Sequence, residues 1–300
     1  MKNITTIVSF AAAKLQANSR RMLAVFGIIA MAAIIVLTGC PTEADDSPKS
    51  SKPKITMASS DVSGTPHTIE LKGTGTVKIK WADGTETEVV LDPDDWIDPA
   101  PTGPINGTVT ITGGDITGLV FFDLSLKSLN ISGYKNIEYL DCSNNNLPSL
   151  NVSGLNKLEI LDCSNNILTS LNVSGCTALT ELYCDNNNLT SLNVSGLNKL
   201  EKLYCNFNDL TSLNVSGCTA LRVLGCDNNN LTSLNVSECT ALTGLNCSFN
   251  GLSDTALDTV FGQLPTWSAG DEGNIYINDN PGTGGCDPDI AEDKYWNVYK

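Results

Sequence analysis

Apolar residues recur at a fixed interval through the middle of the chain. From Leu126 to Gly251 the sequence divides without gaps into six units that fit L-x-x-L-x-[VI]-S-x-x-x-x-[LI]-x-x-L-x-C-x-x-N-x. The units begin at Leu126, Leu147, Leu168, Leu189, Leu210 and Leu231, and a degenerate unit with Ile116, Leu119, Phe121 and Leu124 precedes them. A unit this short cannot bury its own apolar side, so neighbouring units must stack and share one continuous core.

Each unit predicts one short strand and one inward turn. In the x-L-x-C-x segment alternate side chains point inward, and parallel neighbours would lie ~4.8 Å apart. The asparagine that follows occurs at Asn145, Asn166, Asn187, Asn208, Asn229 and Asn250. Its amide can bond backbone groups of adjacent turns that would otherwise be buried unpaired. So short a unit leaves little room for an α-helix on the other side, and short 3₁₀ or extended segments are expected there.

The repeat motif resembles that of the leucine-rich repeat family, and in particular of internalin-like bacterial surface proteins. The family pattern L-x-x-L-x-C-x-x-N-x-L occurs here as LEILDCSNNIL from Leu158 and LRVLGCDNNNL from Leu221. The resemblance implies a solenoid over residues 105–252, with a parallel β-sheet on its concave face.

Cysteines occupy two repeating positions. Six stand in the inward strand position: Cys142, Cys163, Cys184, Cys205, Cys226 and Cys247. Phe121 fills that position in the leading unit, which favours a packing role, since buried free cysteine behaves as a small hydrophobe. Cys176, Cys218 and Cys239 share the second position with tyrosine and leucine. A disulfide such as Cys218 with Cys239 is an alternative, whereas a zinc site lacks its usual C-x₂-C spacing. Cys286 has no explanation from the sequence.

The first forty residues predict export. Residues 1–39 combine a basic start with an apolar run from Met22 to Leu37, which is typical of a signal peptide. The run is shorter than the ~20 residues that a spanning helix needs, although an uncleaved anchor is the alternative. The LTGC sequence ending at Cys40 resembles a bacterial lipoprotein signal, which implies lipidation of Cys40 and anchoring in the cell envelope. Pro41 favours the outer membrane by the same resemblance. Residues 40–53 are polar and proline-spaced, and predict a tether.

Different patterns flank the repeats. Residues 54–104 alternate polar and apolar around an Asp-Gly turn at Asp83, which predicts a small β-rich module with a hairpin. Its acidic stretch from Asp92 to Asp98 is either a solvated loop or a calcium loop, and the solvated loop is favoured because the EF-hand glycine and glutamate are missing. Residues 253–300 predict a C-terminal cap that begins with a helix capped by Ser253 or Asp254 and stopped by Pro265.

The outward strand positions are the candidate binding site. They vary between units while the inward positions barely do, and tyrosine there provides contact area at low entropic cost. The predicted partner-binding residues are Tyr139, Asp141, Ile160, Asp162, Glu181, Tyr183, Asp185, Lys202, Tyr204, Val223 and Asp227. With the internalin resemblance, they predict a surface protein that binds a protein or glycan on a host or bacterial surface. A passive structural role in the envelope is the alternative.

Other classes of function are disfavoured. The net charge of −15 makes nucleic acid a poor partner. Asp141 and Asp162 would stand on neighbouring strands, at a separation compatible with the ~5 Å carboxylate pair of a retaining glycosidase, but an open sheet offers nothing to desolvate them. We therefore expect no catalysis, no metal and no cofactor.

Overall fold

The computed structural model describes residues 53–60, 68–99 and 105–300. The predicted signal peptide (1–39), the lipidation of Cys40 and the tether (40–53, apart from Pro53) lie outside the described residues. All the described residues belong to one compact unit, Ser50–Lys300. Among them, no helix is both long enough and apolar enough to cross a membrane.

The described residues form strands and two helices. The strands are β1 Lys54–Ser60, β2 Thr68–Lys80, β3 Glu86–Val90, β4 Asn106–Phe122, β5 Leu126–Asn130, β6 Tyr139–Asp141, β7 Ile160–Asp162, β8 Glu181–Tyr183, β9 Ser191–Asn193, β10 Lys202–Tyr204, β11 Ser212–Asn214, β12 Val223–Gly225, β13 Gly244–Asn246, β14 Gly273–Tyr276 and β15 Trp296–Tyr299. The helices are α1 Asp254–Gln263 and α2 Asp289–Glu292.

The repeats stack as a parallel solenoid. Strands β6, β7, β8, β10, β12 and β13 pair in parallel at a constant offset of one repeat unit, so that Leu161 faces Leu182 and Leu182 faces Leu203. Strands β14 and β15 extend the same sheet at its C-terminal end. On the opposite side the chain is extended, and β9 pairs with β11. The predicted parallel sheet is confirmed.

A ladder of buried asparagine amides closes the turns. In Asn187, Nδ2 donates to the carbonyl of Cys163 at 3.0 Å and to that of Cys184 at 3.2 Å. Its Oδ1 accepts a bond from the amide of Leu168 at 2.9 Å. The bond to the preceding turn recurs at the other five predicted asparagines and at Asn280 in the cap. Each amide therefore joins its own turn to the preceding one, as the sequence predicted.

Replacing Asn187 by alanine should destabilise the protein by about 3 kcal/mol, because the buried Leu168 amide and Cys163 carbonyl lose their partner. Urea unfolding followed by circular dichroism measures this change. The matched control is Asn188→Ala, at an exposed side chain in the same turn, which should change stability by less than about 0.5 kcal/mol. Equal effects of the two substitutions would contradict a structural role for the ladder.

The cysteines are unpaired and buried. All ten cysteines of the described residues are free thiols, and the six inward ones are fully buried beside the leucine row. The second set donates hydrogen bonds instead of pairing: Cys218 Sγ lies 3.2 Å from the carbonyl of Val194. Cys286 is buried in the cap, and its Sγ lies 3.6 Å from the carbonyl of Thr283. These positions favour the predicted packing role over the Cys218–Cys239 disulfide.

Burial also makes the thiols unreactive. Desolvation raises the pKa of Cys218 to about 11 and that of Cys247 to about 12. Desolvation, followed by the neighbouring Cys205, raises the pKa of Cys184 well above its usual range. Because the thiolate is the nucleophile, these groups stay protonated and inert at neutral pH.

Iodoacetamide at pH 8 should therefore alkylate the inward cysteines at least about 100-fold more slowly in the native protein than in guanidinium chloride. Peptide mapping by mass spectrometry reads each position separately. Rapid native labelling of Cys184 or Cys205 would contradict their burial.

The β-rich module shares a strand with the solenoid. The first half of β4 pairs antiparallel with β1, and its residues from Thr110 to Phe122 pair antiparallel with β2. Beyond β1, at Gly118 to Val120, the same edge of β4 pairs in parallel with β6. A single sheet therefore includes strands from both sides of the boundary that the sequence placed after residue 104.

The hairpin of the module forms where the sequence predicted it. Strands β2 and β3 pair antiparallel on either side of the turn at Asp83 and Gly84. The Asp83 carboxylate accepts bonds from the amide and hydroxyl of Thr85, at 2.8 Å and 2.6 Å. These bonds fix the turn and with it the register of the two strands.

The C-terminal end is closed by α1 and the last two strands. Ser253 caps α1, because its Oγ accepts a bond from the amide of Ala256 at 3.2 Å. The helix buries Leu257, Val260 and Phe261 against the last turns. Trp296 is buried over Gly273 of the neighbouring strand, where a Cβ would lie 2.5 Å from the indole ring. Glycine is therefore required at position 273.

Candidate functional site

The concave face carries the predicted outward residues in straight rows. Sheet register places Tyr139, Ile160, Glu181, Lys202 and Val223 side by side in one row. A second row consists of Asp141, Asp162, Tyr183, Tyr204 and Gly225. Because the strands are short and parallel, residues one unit apart in sequence become direct neighbours in space.

Four predicted residues form a central cluster: Glu181, Tyr183, Lys202 and Tyr204. The tyrosine rings stack with centroids 5.4 Å apart and planes inclined by 5°. The Tyr183 hydroxyl donates to Glu181 Oε2 at 2.6 Å, and Lys202 Nζ donates to Glu181 Oε1 at 2.8 Å. Both oxygens of the carboxylate are therefore bonded, and the cluster holds its side chains in defined positions.

The electrostatics of the central cluster disfavour ionisation of its tyrosines. Burial raises the pKa of Tyr183, and its hydrogen bond to the Glu181 carboxylate raises it further. Burial, followed by the charge of Glu181, raises the pKa of Tyr204. The cluster therefore presents neutral aromatic rings beside one carboxylate–ammonium pair.

Each end of the concave face carries a second aromatic contact that the sequence reasoning did not include. At the N-terminal end, Trp96 meets the ring of Tyr139 edge-on, with centroids 5.3 Å apart and planes inclined by 72°. The indole lies over Gly118, where a Cβ would be 2.5 Å away. The acidic loop thus folds onto the sheet, and the Asp92 carboxylate accepts bonds from the amides of Asp94 and Asp95.

At the C-terminal end, Tyr276 and Tyr299 stack with centroids 4.6 Å apart. They continue the second row, because Tyr276 is in register with Asn246 and Tyr299 with Tyr276. The sequence does contain a pattern that indicates Tyr276. The segment IYINDN, at residues 275–280, has its tyrosine and asparagines at the same positions as the repeat segment LYCNFN, at residues 203–208.

The aspartates of the site are less available than the tyrosines. Asp141 and Asp185 are only 4% and 5% exposed, although the sequence placed them outward. Asp141 Oδ1 accepts bonds from the amide and hydroxyl of Ser143, and Asp162 does the same for Ser164. Each carboxylate is thus bonded to the serine two residues later in its own turn, and these bonds keep the side chain close to the sheet. They do not form an exposed catalytic pair.

A cavity near the sheet lies away from the central cluster. A cavity of about 450 Å³ lies at the C-terminal end, beside β15, and is lined by Glu272, Glu292, Tyr295, Trp296, Asn297, Val298 and Tyr299. None of the central cluster lines it. Among the described residues, no group of three or more histidine, cysteine or acidic side chains is placed to hold a metal ion.

Comparison with solved structures finds several similar chains. The functional domain of InlJ from Listeria monocytogenes, described as including a cysteine ladder, is 25% identical over 61% of this chain and 53% of its own, with a TM-score of 0.35. YopM, a leucine-rich effector protein from Yersinia pestis, is 24% identical over 49% and 45% of the two chains, with a TM-score of 0.40. Internalin C2 from Listeria monocytogenes is 23% identical over 61% and 80%, with a TM-score of 0.44.

The chain folds as a leucine-rich repeat solenoid. Its parallel register and its asparagine ladder establish this directly. The chain spans about half the length of the InlJ and YopM chains it matches. No protein-family model and no curated protein matches it.

Replacing Glu181 by glutamine should lower the pKa of Tyr183, because the substitution removes the negative charge that disfavours the phenolate. Burial remains, so the pKa should stay above the ordinary value of about 10. Ring-labelled tyrosine NMR across a pH titration measures this, with Tyr183→Phe assigning the signal. Glu201→Gln, at an exposed residue just before β10, should leave the Tyr183 titration unchanged. An unchanged titration in Glu181→Gln would contradict the hydrogen bond.

Proposed function

We propose that the leucine-rich repeat solenoid binds a protein partner through its concave face, with the central cluster at the middle of the contact. The observation that supports this most directly is the fixed geometry of the cluster, in which Tyr183 stacks on Tyr204 and Glu181 bonds both Tyr183 and Lys202. Side chains that are already ordered lose little conformational entropy on binding, so their contacts contribute more fully to affinity.

The composition of the face agrees with a protein interface. Tyrosine is enriched at contact hot spots because it combines a large apolar area with one polar group. Here Tyr139, Tyr183 and Tyr204 are half-buried in the sheet and keep part of their rings exposed. The Glu181–Lys202 pair adds charge that can select the orientation of a partner. A passive envelope protein would need none of these arrangements.

The location of the protein is part of the proposal. The sequence of residues 1–40 supports export and lipidation of Cys40, with residues 41–53 as a tether. On that basis the solenoid stands on the outer surface of the cell and acts in adhesion to a host or bacterial surface. Protease treatment of intact cells tests the exposure: digestion of the solenoid without lysis supports the proposal, whereas full protection overturns the adhesion role.

Substitution of Tyr139, Tyr183 and Tyr204 by alanine should reduce partner capture by more than about tenfold, since hot-spot tyrosines contribute about 1–2 kcal/mol each. The measurement is affinity capture from host-cell surface extracts with the immobilised protein, scored for a partner that the wild type enriches. Thr190→Ala, on the opposite side of the solenoid from the sheet, is the matched control. It should retain capture.

Two outcomes would contradict this assignment. Equal capture by the triple variant and the wild type would exclude the central cluster as the contact. Loss of capture after periodate treatment of the extract, with protease treatment harmless, would identify a glycan in place of a protein.

A further inference from the structure

The parallel sheet ends in an open edge at its C-terminal strand. Strand β15 pairs with β14 on one side, and no strand of the described residues pairs with its other side. The carbonyl of Tyr295 accepts a bond from the amide of Gly273 in β14 at 3.0 Å. Because successive residues of a strand direct their backbone groups to opposite sides, the N–H and C=O groups of Trp296 and Val298 point toward the open edge.

The side chains of β15 also lack a covering neighbour. Val298 stands in the inward row, in register with Ile275 of β14. Ile275 is completely buried, whereas Val298 is only partly buried against the core. The cavity of about 450 Å³ lies beside this strand, and every residue from Tyr295 to Tyr299 lines it. A further strand at this edge would therefore complete the backbone hydrogen bonding and bury Val298.

The open edge of β15 is not protected in the usual way. Proteins block pairing at sheet edges with charged side chains, proline or bulges. Strands β3 and β5, which also lie at edges of this sheet, contain Glu86, Glu88 and Lys127. Strand β15 has the sequence WNVY and contains neither a charged residue nor proline. This edge is therefore suited to accept another strand.

The surroundings of the open edge are acidic. Glu272 and Glu292 line the cavity, and no lysine or arginine of the described residues does. A hydrogen bond from the backbone amide two residues earlier lowers the pKa of Glu272, which is therefore ionised at neutral pH. Lys294 donates instead to two backbone carbonyls at the end of α1. Two copies of this edge would repel each other, whereas a positively charged segment would be attracted.

We propose that the open edge of β15 binds an extended, positively charged segment of a protein partner, which adds one strand to the sheet. The backbone groups of Trp296 and Val298 make the hydrogen bonds, and an apolar side chain of the segment covers Val298. Its lysine or arginine side chains approach Glu272 and Glu292. Added strands bind mainly through such backbone bonds, while side-chain pockets determine which sequences are accepted. The site lies outside the central cluster and is a second contact, beyond the one proposed for the concave face.

The probe is the fluorescent hexapeptide KTVTVK, whose binding to the full-length protein is measured by anisotropy at low salt and should be saturable. Val298→Pro should weaken this binding more than about tenfold, because it removes an N–H group from the open side and leaves the bonds to β14 in place. Val298→Ile is the matched control. It keeps the N–H group and an apolar side chain, and should change the affinity by less than about twofold.

A second variant leaves the backbone unaltered. Glu272→Gln with Glu292→Gln replaces two exposed carboxylates, and KTVTVK should then bind about fivefold more weakly. The melting temperature of each variant shows whether it is folded. If Val298→Pro melts earlier than the wild type, the glutamine variant and an analogue of KTVTVK that is methylated at every internal amide nitrogen decide the question.

Other outcomes overturn the added strand. Equal binding of KTVTVK and its methylated analogue would reduce the effect to charge, and absence of saturable binding at millimolar peptide would exclude this chemistry. Self-association of the wild type that Val298→Pro abolishes would identify a second copy of the chain as the occupant. Tyr183→Ala with Tyr204→Ala should leave KTVTVK binding unchanged, so failure of this edge and failure of the concave contact are separable. Loss of binding in that variant would place the peptide on the central cluster instead.

Discussion

One buried amide per turn makes the solenoid possible. After each inward cysteine the chain leaves the sheet, and the cysteine carbonyl is bonded by asparagine side chains: that of Cys163 accepts from Asn166 of its own turn and from Asn187 of the next. The other ladder asparagines repeat this arrangement, so each reaches back to the previous turn. An unpaired carbonyl or amide at such a depth would cost about 1–3 kcal/mol. The asparagine thereby fixes both the shape of the turn and its stacking on its neighbour.

This constraint divides every turn into a constant interior and a variable exterior. The inward leucines and cysteines must fill a space that is nearly the same in each unit, so they repeat almost without change. The outward positions carry no such demand, and they hold tyrosine, glutamate, lysine or glycine at the same place in successive turns. The strand spacing of ~4.8 Å is close to a ring-stacking distance. Two tyrosines at the same position of adjacent strands therefore stack because of the strand register. Tyr183 stacks on Tyr204 in this way, and Tyr276 on Tyr299.

The elements that recur in every repeat unit could be predicted from the sequence. Contacts between residues that are far apart in the sequence, and outside the repeat pattern, could not. The parallel strands, the asparagine bonds and the Ser253 cap all rest on local patterns. The position of Trp96 over Gly118 depends on a loop far away in sequence, and no periodic signal marks it. The burial of Asp141 was missed for a different reason: its carboxylate bonds Ser143 two residues later, a local turn that the alternation of strand residues conceals.

Strand β4 provides the paired strand on which the first repeat stacks. A new turn gains most of its stability from the turn already beside it, so the first turn is the hardest to form. The long strand β4 is held on both edges by β1 and β2, and it offers the edge at Gly118 to Val120 to the first repeat. A repeat that forms against this edge loses the conformational entropy of its own unit alone. A pair of repeats that forms elsewhere must lose the entropy of two units before their strands can pair. The module before the repeats therefore covers the N-terminal end of the solenoid, so that the first repeat, like every later one, has a paired strand on that side.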